Sequence, residues 1–179
     1  CGTSGGHTVW KLPNQPAPVH QVQRHPTKVM VWGCFSAKGA GRLHICEGMM
    51  NATKYADVLT NRLVPQMRKW YPDNGGFLLQ EKAPCHTANI VAKFIEDNNI
   101  QLLPWAGNSS DLNPIENLWG IIKRKLKEET ITSKQELIGR ILHFWNHDAS
   151  VQQTLISLAN SMPNRVEAVI KAKGGPTKY

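Results

Sequence analysis

The order of apolar segments along the chain constrains its fold more than any other feature. Two segments rich in β-branched and apolar residues, 29–35 and 42–46, flank a glycine-containing turn, which predicts a β-hairpin. After them, apolar runs short enough for strands alternate with segments whose apolar residues recur every three or four positions. A hairpin followed by strand, helix, strand and further helices predicts an α/β domain with helices packed on a mixed sheet.

Helical periodicity predicts that most of the remaining chain is helical. Asn51 is predicted to cap a helix that ends near Trp70 and has one apolar face formed by Tyr55, Val58, Leu59, Leu63 and Met67. A helix that begins near Thr87 and ends at Asn98 is predicted to bury Ile90, Val91, Phe94 and Ile95. The C-terminal part is predicted to hold helices from Pro114 to about Glu129, from Lys134 to about His147, and a final pair of segments broken at Pro163.

Short strands and loops complete the predicted sheet. Residues 77–81 predict a buried strand, and residues 100–103 with Trp105 predict another. Residues 7–12 predict a strand near the N-terminus, followed by a proline-rich connection, and residues 107–113 predict a polar loop. Because the active edge of such a sheet lies at strand ends, catalytic side chains are expected just after Leu79 and around the loop before Pro114.

Charge and composition narrow the class of protein. The net charge of +8 and the pI of 9.5 favour a polyanionic partner such as nucleic acid, although a merely soluble basic protein would show the same balance. No apolar run approaches the roughly 20 residues of a membrane span, so no membrane partner is expected. The four cysteines form no C-x-x-C pair, which favours reduced thiols over a zinc site. One domain, 1–179, is expected, and the opening Cys1 suggests that the chain continues upstream.

Two acidic residues lie where the predicted sheet would place functional groups. Glu81 ends an apolar strand, where its carboxylate either emerges into solvent beside Lys82 or is held for a purpose. Glu116 lies in the first turn of a helix, three residues after Asn113, in the pattern of a capping box. That pattern explains Glu116 without catalysis, and a metal-binding role is the second interpretation.

The helix predicted to begin at Pro114 has two distinct sides. Its apolar side carries Ile115, Leu118, Trp119, Ile122 and Leu126. At 100° per residue, a second side collects Glu116, Gly120, Lys123, Arg124 and Lys127. A solvated stripe is the ordinary interpretation of these charges, but three cations one or two turns from a metal-binding carboxylate would also suit DNA phosphates.

Three ordered motifs carry a resemblance to a known family. They are Val29-Met-Val-Trp-Gly-Cys-Phe-Ser36, Ala83-Pro-Cys-His-Thr-Ala88 and Asp111-Leu-Asn-Pro-Ile-Glu-Asn-Leu-Trp119. Together they resemble the catalytic domain of mariner-superfamily (Tc/mariner) DDE transposases, and residues 168–179 resemble the C-terminus of that family. The resemblance covers nearly the whole chain.

The resemblance implies a ribonuclease H-like mixed sheet flanked by helices, with a helical C-terminus, and an Asp-Asp-Glu set. Such a set holds two divalent ions, Mg²⁺ or Mn²⁺, that cut and join DNA strands. In the Glu-ending branch of the family, 34 residues separate the second and third carboxylates, and 34 residues lie between Glu81 and Glu116. The resemblance therefore implies that Glu81 and Glu116 are the catalytic and metal-binding residues, and that Lys123, Arg124 and Lys127 contact DNA.

The chain departs from the family pattern at several points. The family usually has Asp-Asn where this chain has Glu81-Lys82, and the extra methylene would move a ligand by roughly 1 Å. Ser110 stands where Pro is common. The family places its first Asp on a strand upstream of residues 7–12, whereas residues 1–46 contain no Asp or Glu. That central strand, and the helix-turn-helix DNA-binding module, are expected to lie outside this chain, unless a downstream acid such as Asp111 substitutes for the first Asp.

The resemblance implies a fragment of a transposase catalytic domain that is inactive in isolation. A non-catalytic DNA-binding or assembly remnant and a decayed genomic copy are the alternatives. The implied partner is DNA, through its phosphate backbone and, in the intact protein, through the transposon ends. The resemblance leaves open whether the protein forms a homodimer, and it implies that the protein is located in the nucleus.

Overall fold

The predicted hairpin is present in the computed structural model, which describes residues 28–104, 112–175 and 177. Strand β1 (Met30–Ser36) pairs antiparallel with β2 (Gly39–Cys46), and Gly39 adopts a positive φ of 119° where the chain turns. The predicted strand at 7–12, the proline-rich connection, Trp105 and loop residues 107–111 lie outside the described residues.

The helix predicted from Asn51 to Trp70 forms, and it contains a wide turn that its sequence pattern did not predict. It consists of α1 (Ala52–Val58), a π-helical turn (Leu59–Leu63) and α2 (Val64–Trp70). Pro65 has no N–H to donate to the carbonyl of Asn61, so the regular ladder is interrupted there. The guanidinium of Arg42 donates to that carbonyl at 3.0 Å instead. The predicted Asn51 cap is confirmed, because its side chain accepts from the Lys54 N–H.

The next strand pair is shorter than predicted. Strand β3 (Phe77–Leu78) pairs parallel with β4 (Gln101–Leu102), through a crossover that contains α3 (Pro84–Thr87) and α4 (Asn89–Asp97). The predictions of strands over 77–81 and 100–103 were therefore too long, and Phe77 is 61% exposed rather than buried. Among the described residues β3 has β4 as its one partner.

The core face of α4 was predicted correctly except at one residue. Val91 and Ile95, one turn apart, are buried, and Phe94 packs partly against them. Ile90 is 51% exposed, so its predicted burial was wrong. Adjacent helical residues differ by 100°, and the direction that buries Val91 turns Ile90 towards solvent.

Four helices close the described chain. They are α5 (Pro114–Lys127), α6 (Lys134–His147), α7 (Ala149–Asn160) and α8 (Met162–Lys171). The last pair is broken at Ser161, two residues before the predicted position, and Pro163 lies in the first turn of α8, where a proline costs no hydrogen bond. No helix among the described residues is long and apolar enough to cross a membrane.

The hairpin lies between two hydrophobic clusters. On one face, Trp32 and Cys34 pack against the cluster of α1, the π-helical turn and α4. On the other face, Phe35 packs against the cluster of α5, α6 and α7, in which Trp145 is fully buried. The indole of Trp145 stacks on Trp119 and donates to the carbonyl of Gly41 at 2.8 Å. Helices therefore cover both faces of the hairpin, as predicted for an α/β domain, but the described strands form two separate pairs, one antiparallel and one parallel, rather than one mixed sheet.

Candidate active site

Glu81 follows β3 at the point where the chain leaves the sheet, and it is half-buried. The ring Nδ1 of His86 lies 2.9 Å from the Glu81 carbonyl oxygen. Because a carbonyl can only accept, the imidazole hydrogen lies on Nδ1. The backbone of Glu81 is thus held by the loop that follows it.

The loop is held in turn by a buried tyrosine. The ring of Tyr55 on α1 stacks on His86 with centroids 4.1 Å apart, and its hydroxyl donates to Gln80 Oε1 at 2.7 Å. Burial raises the pKa of Tyr55, so the hydroxyl keeps its proton and remains a donor. Tyr55 therefore fixes residues on both sides of Glu81.

Glu116 comes from a different element, the first turn of α5. Its backbone N–H donates to the Asn113 carbonyl at 3.1 Å, and its side chain is exposed. Asn113 is the N-cap as predicted, and its Oδ1 accepts from the Ile115 N–H. Within the described part of the chain, the Glu116 carboxylate makes no return bond to the Asn113 N–H, so the second half of the predicted capping box is not formed. The cap does not occupy the carboxylate of Glu116.

One cavity of about 490 Å³ brings the two acids together. Glu81 and Glu116 both line it, together with His86 and Asn113. Its walls include consecutive residues of β1, 31–36, and of β3 and its continuation, 77–81. Asn113 contacts one of the two acids directly, because its Nδ2 donates to Glu81 Oε1 at 3.3 Å. The two acids that the sequence singled out thus line the same cavity, one just after β3 and the other in the first turn of α5.

The cationic stripe of α5 lies on the same helix as Glu116. Lys123, Arg124 and Lys127 are exposed, while Leu118 and Ile122 on the opposite side are buried. Lys123 lies seven residues after Glu116, which is about 10 Å along a helix that rises 1.5 Å per residue. The predicted division of α5 into a core side and a charged side is confirmed.

The donor set of the cavity suits a hard divalent ion, but it is incomplete. Carboxylate oxygens are the ligands that Mg²⁺ and Mn²⁺ prefer, and Glu81 and Glu116 supply them. Across residues 28–104, 112–175 and 177, no group of three or more His, Cys, Asp or Glu side chains is arranged to hold a metal ion. A third carboxylate would have to come from outside these residues.

Sequence reasoning missed the residues that hold Glu81 in place. His86 was part of a recognised motif but had no assigned role, and Asn113 was assigned only as a helix cap. Their contacts with Glu81 connect residues 5 and 32 positions apart, and no local pattern signals the longer of the two contacts.

Comparison with known proteins identifies the family. Residues 6–138 match the DDE superfamily endonuclease family. The Tcb1 transposable-element transposase of Caenorhabditis briggsae is 37% identical over 170 residues, which cover 91% of this chain and 60% of that protein. The chain thus spans less than two thirds of this relative.

Solved structures show the same fold. The catalytic domain of the Mos1 mariner transposase superposes with a TM-score of 0.75 at 22% identity, covering 86% of this chain and 78% of that one. The Mos1 paired-end complex with Mg superposes with a TM-score of 0.78 at 22% identity, covering 96% and 52%. On the sequence match and the fold together, this chain belongs to the DDE superfamily endonucleases and is a homologue of Tc1/mariner transposases.

Proposed function

We propose that this chain is the larger part of the catalytic domain of a DNA transposase, which cuts and joins phosphodiester bonds. The observation that carries the proposal is the convergence of Glu81 and Glu116, from two different parts of the chain, on one cavity. Family relatives named as transposases support it. Mos1, which shares the fold, is described with Mg, with Mn and with a transposon end.

In this proposal Glu81 and Glu116 hold the divalent ions. Two such ions would activate the attacking oxygen and stabilise the leaving oxygen of the phosphodiester. The chain's own contribution is to place the carboxylates. His86 and Tyr55 fix the backbone around Glu81, and the cap at Asn113 fixes the start of α5.

We also propose that the sheet receives one more strand, between β1 and β3. Among the described residues these strands belong to separate two-stranded sheets, and both contribute consecutive residues to the cavity wall. A strand placed there would complete a ribonuclease H-like sheet and could carry the third carboxylate. Because residues 1–46 contain no acid, that carboxylate would come from upstream of Cys1, and the 179-residue chain alone would be inactive.

The exposed stripe of Lys123, Arg124 and Lys127 would contact the DNA backbone. Cations bind phosphates without reading sequence, so the stripe would hold DNA near the cavity and leave recognition of transposon ends to other parts of the protein. A protein that acts on chromosomal DNA in this way would work in the nucleus.

Nicking of supercoiled plasmid in the presence of Mn²⁺ tests the proposal. We expect no nicking by the 179-residue chain and nicking by the same chain extended upstream by its own coding sequence. In the extended protein, Glu116→Gln should reduce nicking by at least about a hundredfold, because it removes a charged ligand. Glu128→Gln, the same change at the exposed end of α5, should leave it intact. Equal nicking by the Glu116→Gln variant, or none by the extended protein, would refute the catalytic proposal.

One observation favours a non-catalytic DNA-binding or assembly remnant, namely that the described residues hold no three-ligand metal group. The same assay decides between the two functions. A remnant would retain salt-sensitive DNA binding in the extended protein and would nick no DNA at any Mn²⁺ concentration.

A further inference from the structure

The side chain of Asn113 joins the two parts of the candidate active site. It is only 6% exposed and lies between the loop after β3 and the first turn of α5. Its Oδ1 accepts from the Ile115 N–H at 3.4 Å, and its Nδ2 donates to Glu81 Oε1 at 3.3 Å. The orientation of the amide is fixed by chemistry, since a carboxylate only accepts and a backbone N–H only donates.

The helix cap alone does not account for an amide at this position. Asp and Ser cap helices about as well as Asn does. Asp would place a second negative charge against the Glu81 carboxylate, and Ser is too short to reach it while capping. Asn is the short side chain that offers an acceptor to the helix and a donor to a carboxylate at the same time.

The contact restrains a side chain that is otherwise free to move. Glu has three rotatable side-chain bonds, and fixing such a side chain costs rotamer entropy. The amide of Asn113 occupies Oε1 and leaves Oε2 for another ligand. It also fixes Glu81 relative to α5, the helix whose first turn carries Glu116.

We propose that Asn113 is a positioning residue, which holds the Glu81 carboxylate at a set place relative to Glu116 and so prepares the pair to bind a divalent ion. The expected effect on metal binding rests on the proposed function. The hydrogen bond from Asn113 Nδ2 to Glu81 Oε1, called the tether below, is a property of the metal-free chain. Partners that orient a metal ligand typically change metal affinity by about 10- to 100-fold when they are removed.

The tether is tested first, in the absence of metal, by NMR of the Asn113 side-chain amide in the 179-residue chain. Glu81→Gln should shift the two Asn113 Nδ2 proton resonances, because the acceptor changes from a carboxylate to a neutral amide. Glu47→Gln, the same change at an exposed residue remote from Asn113 in sequence, should leave them in place. If the two Asn113 resonances do not shift in the Glu81→Gln variant, the proposal is overturned.

The consequence is tested with Mn²⁺ in the upstream-extended protein, which is the parent for this measurement, and the dissociation constant is measured by electron paramagnetic resonance. Asn113→Ser keeps a helix cap and removes the donor to Glu81, so it should weaken Mn²⁺ binding about tenfold while the thermal midpoint changes little. Repeated in the Glu81→Gln background, Asn113→Ser should change the affinity less than twofold. A purely structural role of Asn113 would give the same change in both backgrounds, and that result would overturn the proposal.

Failure of the proposed function gives a different pattern. If the parent chain binds no Mn²⁺ while the Asn113 resonances still respond to Glu81→Gln, the tether stands and the metal site is refuted. If Mn²⁺ binds and depends on Glu81 but not on Asn113, the metal site stands and the positioning role is refuted.

Discussion

Asp148 is a single residue through which three helices are joined. It follows α6, caps α7 by accepting from the Val151 N–H at 3.0 Å, and pairs with Lys125 of α5 at 2.9 Å. Hydrogen bonds from the Ser150 hydroxyl, from Lys125 and from the Val151 N–H hold the pKa of Asp148 well below its usual range. A carboxyl whose pKa is depressed by folding stabilises the protein above its unfolded pKa, near 4, and loses that contribution as pH falls below it.

Asp148→Asn should therefore lower the free energy of unfolding by about 1 kcal/mol at pH 7, because the cap acceptor remains and the charge is lost. The difference between variant and parent should shrink as pH falls below about 4, because the carboxyl is then protonated in the unfolded state while it stays ionised in the folded state. Urea denaturation at pH 7 and pH 3 measures both values. Glu167→Gln, which breaks the exposed pair with Lys171, is the control and should change stability less at both pH values. A pH-independent effect of Asp148→Asn would contradict this account.

At the residue scale, the sequence singled out two acids that line one cavity, but it did not predict how they are held. Glu81 and Glu116 could be singled out because one ends an apolar segment and the other follows a helix-capping asparagine. The bond from Asn113 to Glu81 could not be predicted, since it joins residues 32 positions apart and depends on how a loop folds back. The role of His86 depends in the same way on the stacking of Tyr55.

At the scale of the elements, the packing of the hairpin against the C-terminal helices depends on a close contact between Gly33 and the ring of Trp145. A Cβ at Gly33 would lie 2.8 Å from the Trp145 ring, which is fully buried and cannot move aside freely. We expect Gly33→Ala to destabilise the fold by about 1 to 3 kcal/mol, the usual cost of overpacking a core. The free energy of unfolding measures this.

Gly120→Ala is the matched control, because nothing lies within 4 Å of a Cβ at this position in α5. There the better helix propensity of alanine should stabilise the protein by up to about 1 kcal/mol. If Gly33→Ala lowers the free energy of unfolding and Gly120→Ala raises it, the result supports the packing of the hairpin against Trp145. Destabilisation of similar size at both sites would contradict it.

The exposed cations of α5 lead to a prediction of how DNA binding depends on salt concentration. If Lys123, Arg124 and Lys127 contact phosphates, replacing all three with Gln should weaken DNA binding and reduce the slope of log affinity against log salt by about 1 to 3. Fluorescence anisotropy with a labelled duplex at several salt concentrations measures the slope. Replacing the exposed Arg68, Lys69 and Lys93 removes the same charge from other helices. If both triple variants lose the same amount of slope, DNA binding depends on net charge alone, and the proposed contact between α5 and phosphates is contradicted.

Helices were more predictable than strands for a physical reason. Helix α6 has the predicted bounds, and Ser133 caps it, because helix signals are local. Strands β3 and β4 were predicted too long, because the length of a strand depends on partners elsewhere in the chain. The π-helical turn was missed, although Pro65 inside a helical pattern was a signal that could have indicated it.

At the scale of the whole molecule, the order of elements along the chain predicted that helices pack on strands. It did not predict that the described strands form two separate pairs. Helices cover both faces of the hairpin, as the alternation of strands and helices indicates. The described strands form two pairs with a cavity between them, and the two glutamates lie at that cavity. This arrangement makes the site depend on the global fold rather than on any one segment.

The location of bound Mn²⁺ tests the central claim most directly. Anomalous scattering from crystals of the upstream-extended protein soaked in Mn²⁺ should show a peak within bonding distance of both Glu81 and Glu116, and Glu116→Gln should remove it. A peak at the exposed pair His143 and His147 on α6 instead, or no peak at the two glutamates, would contradict the account.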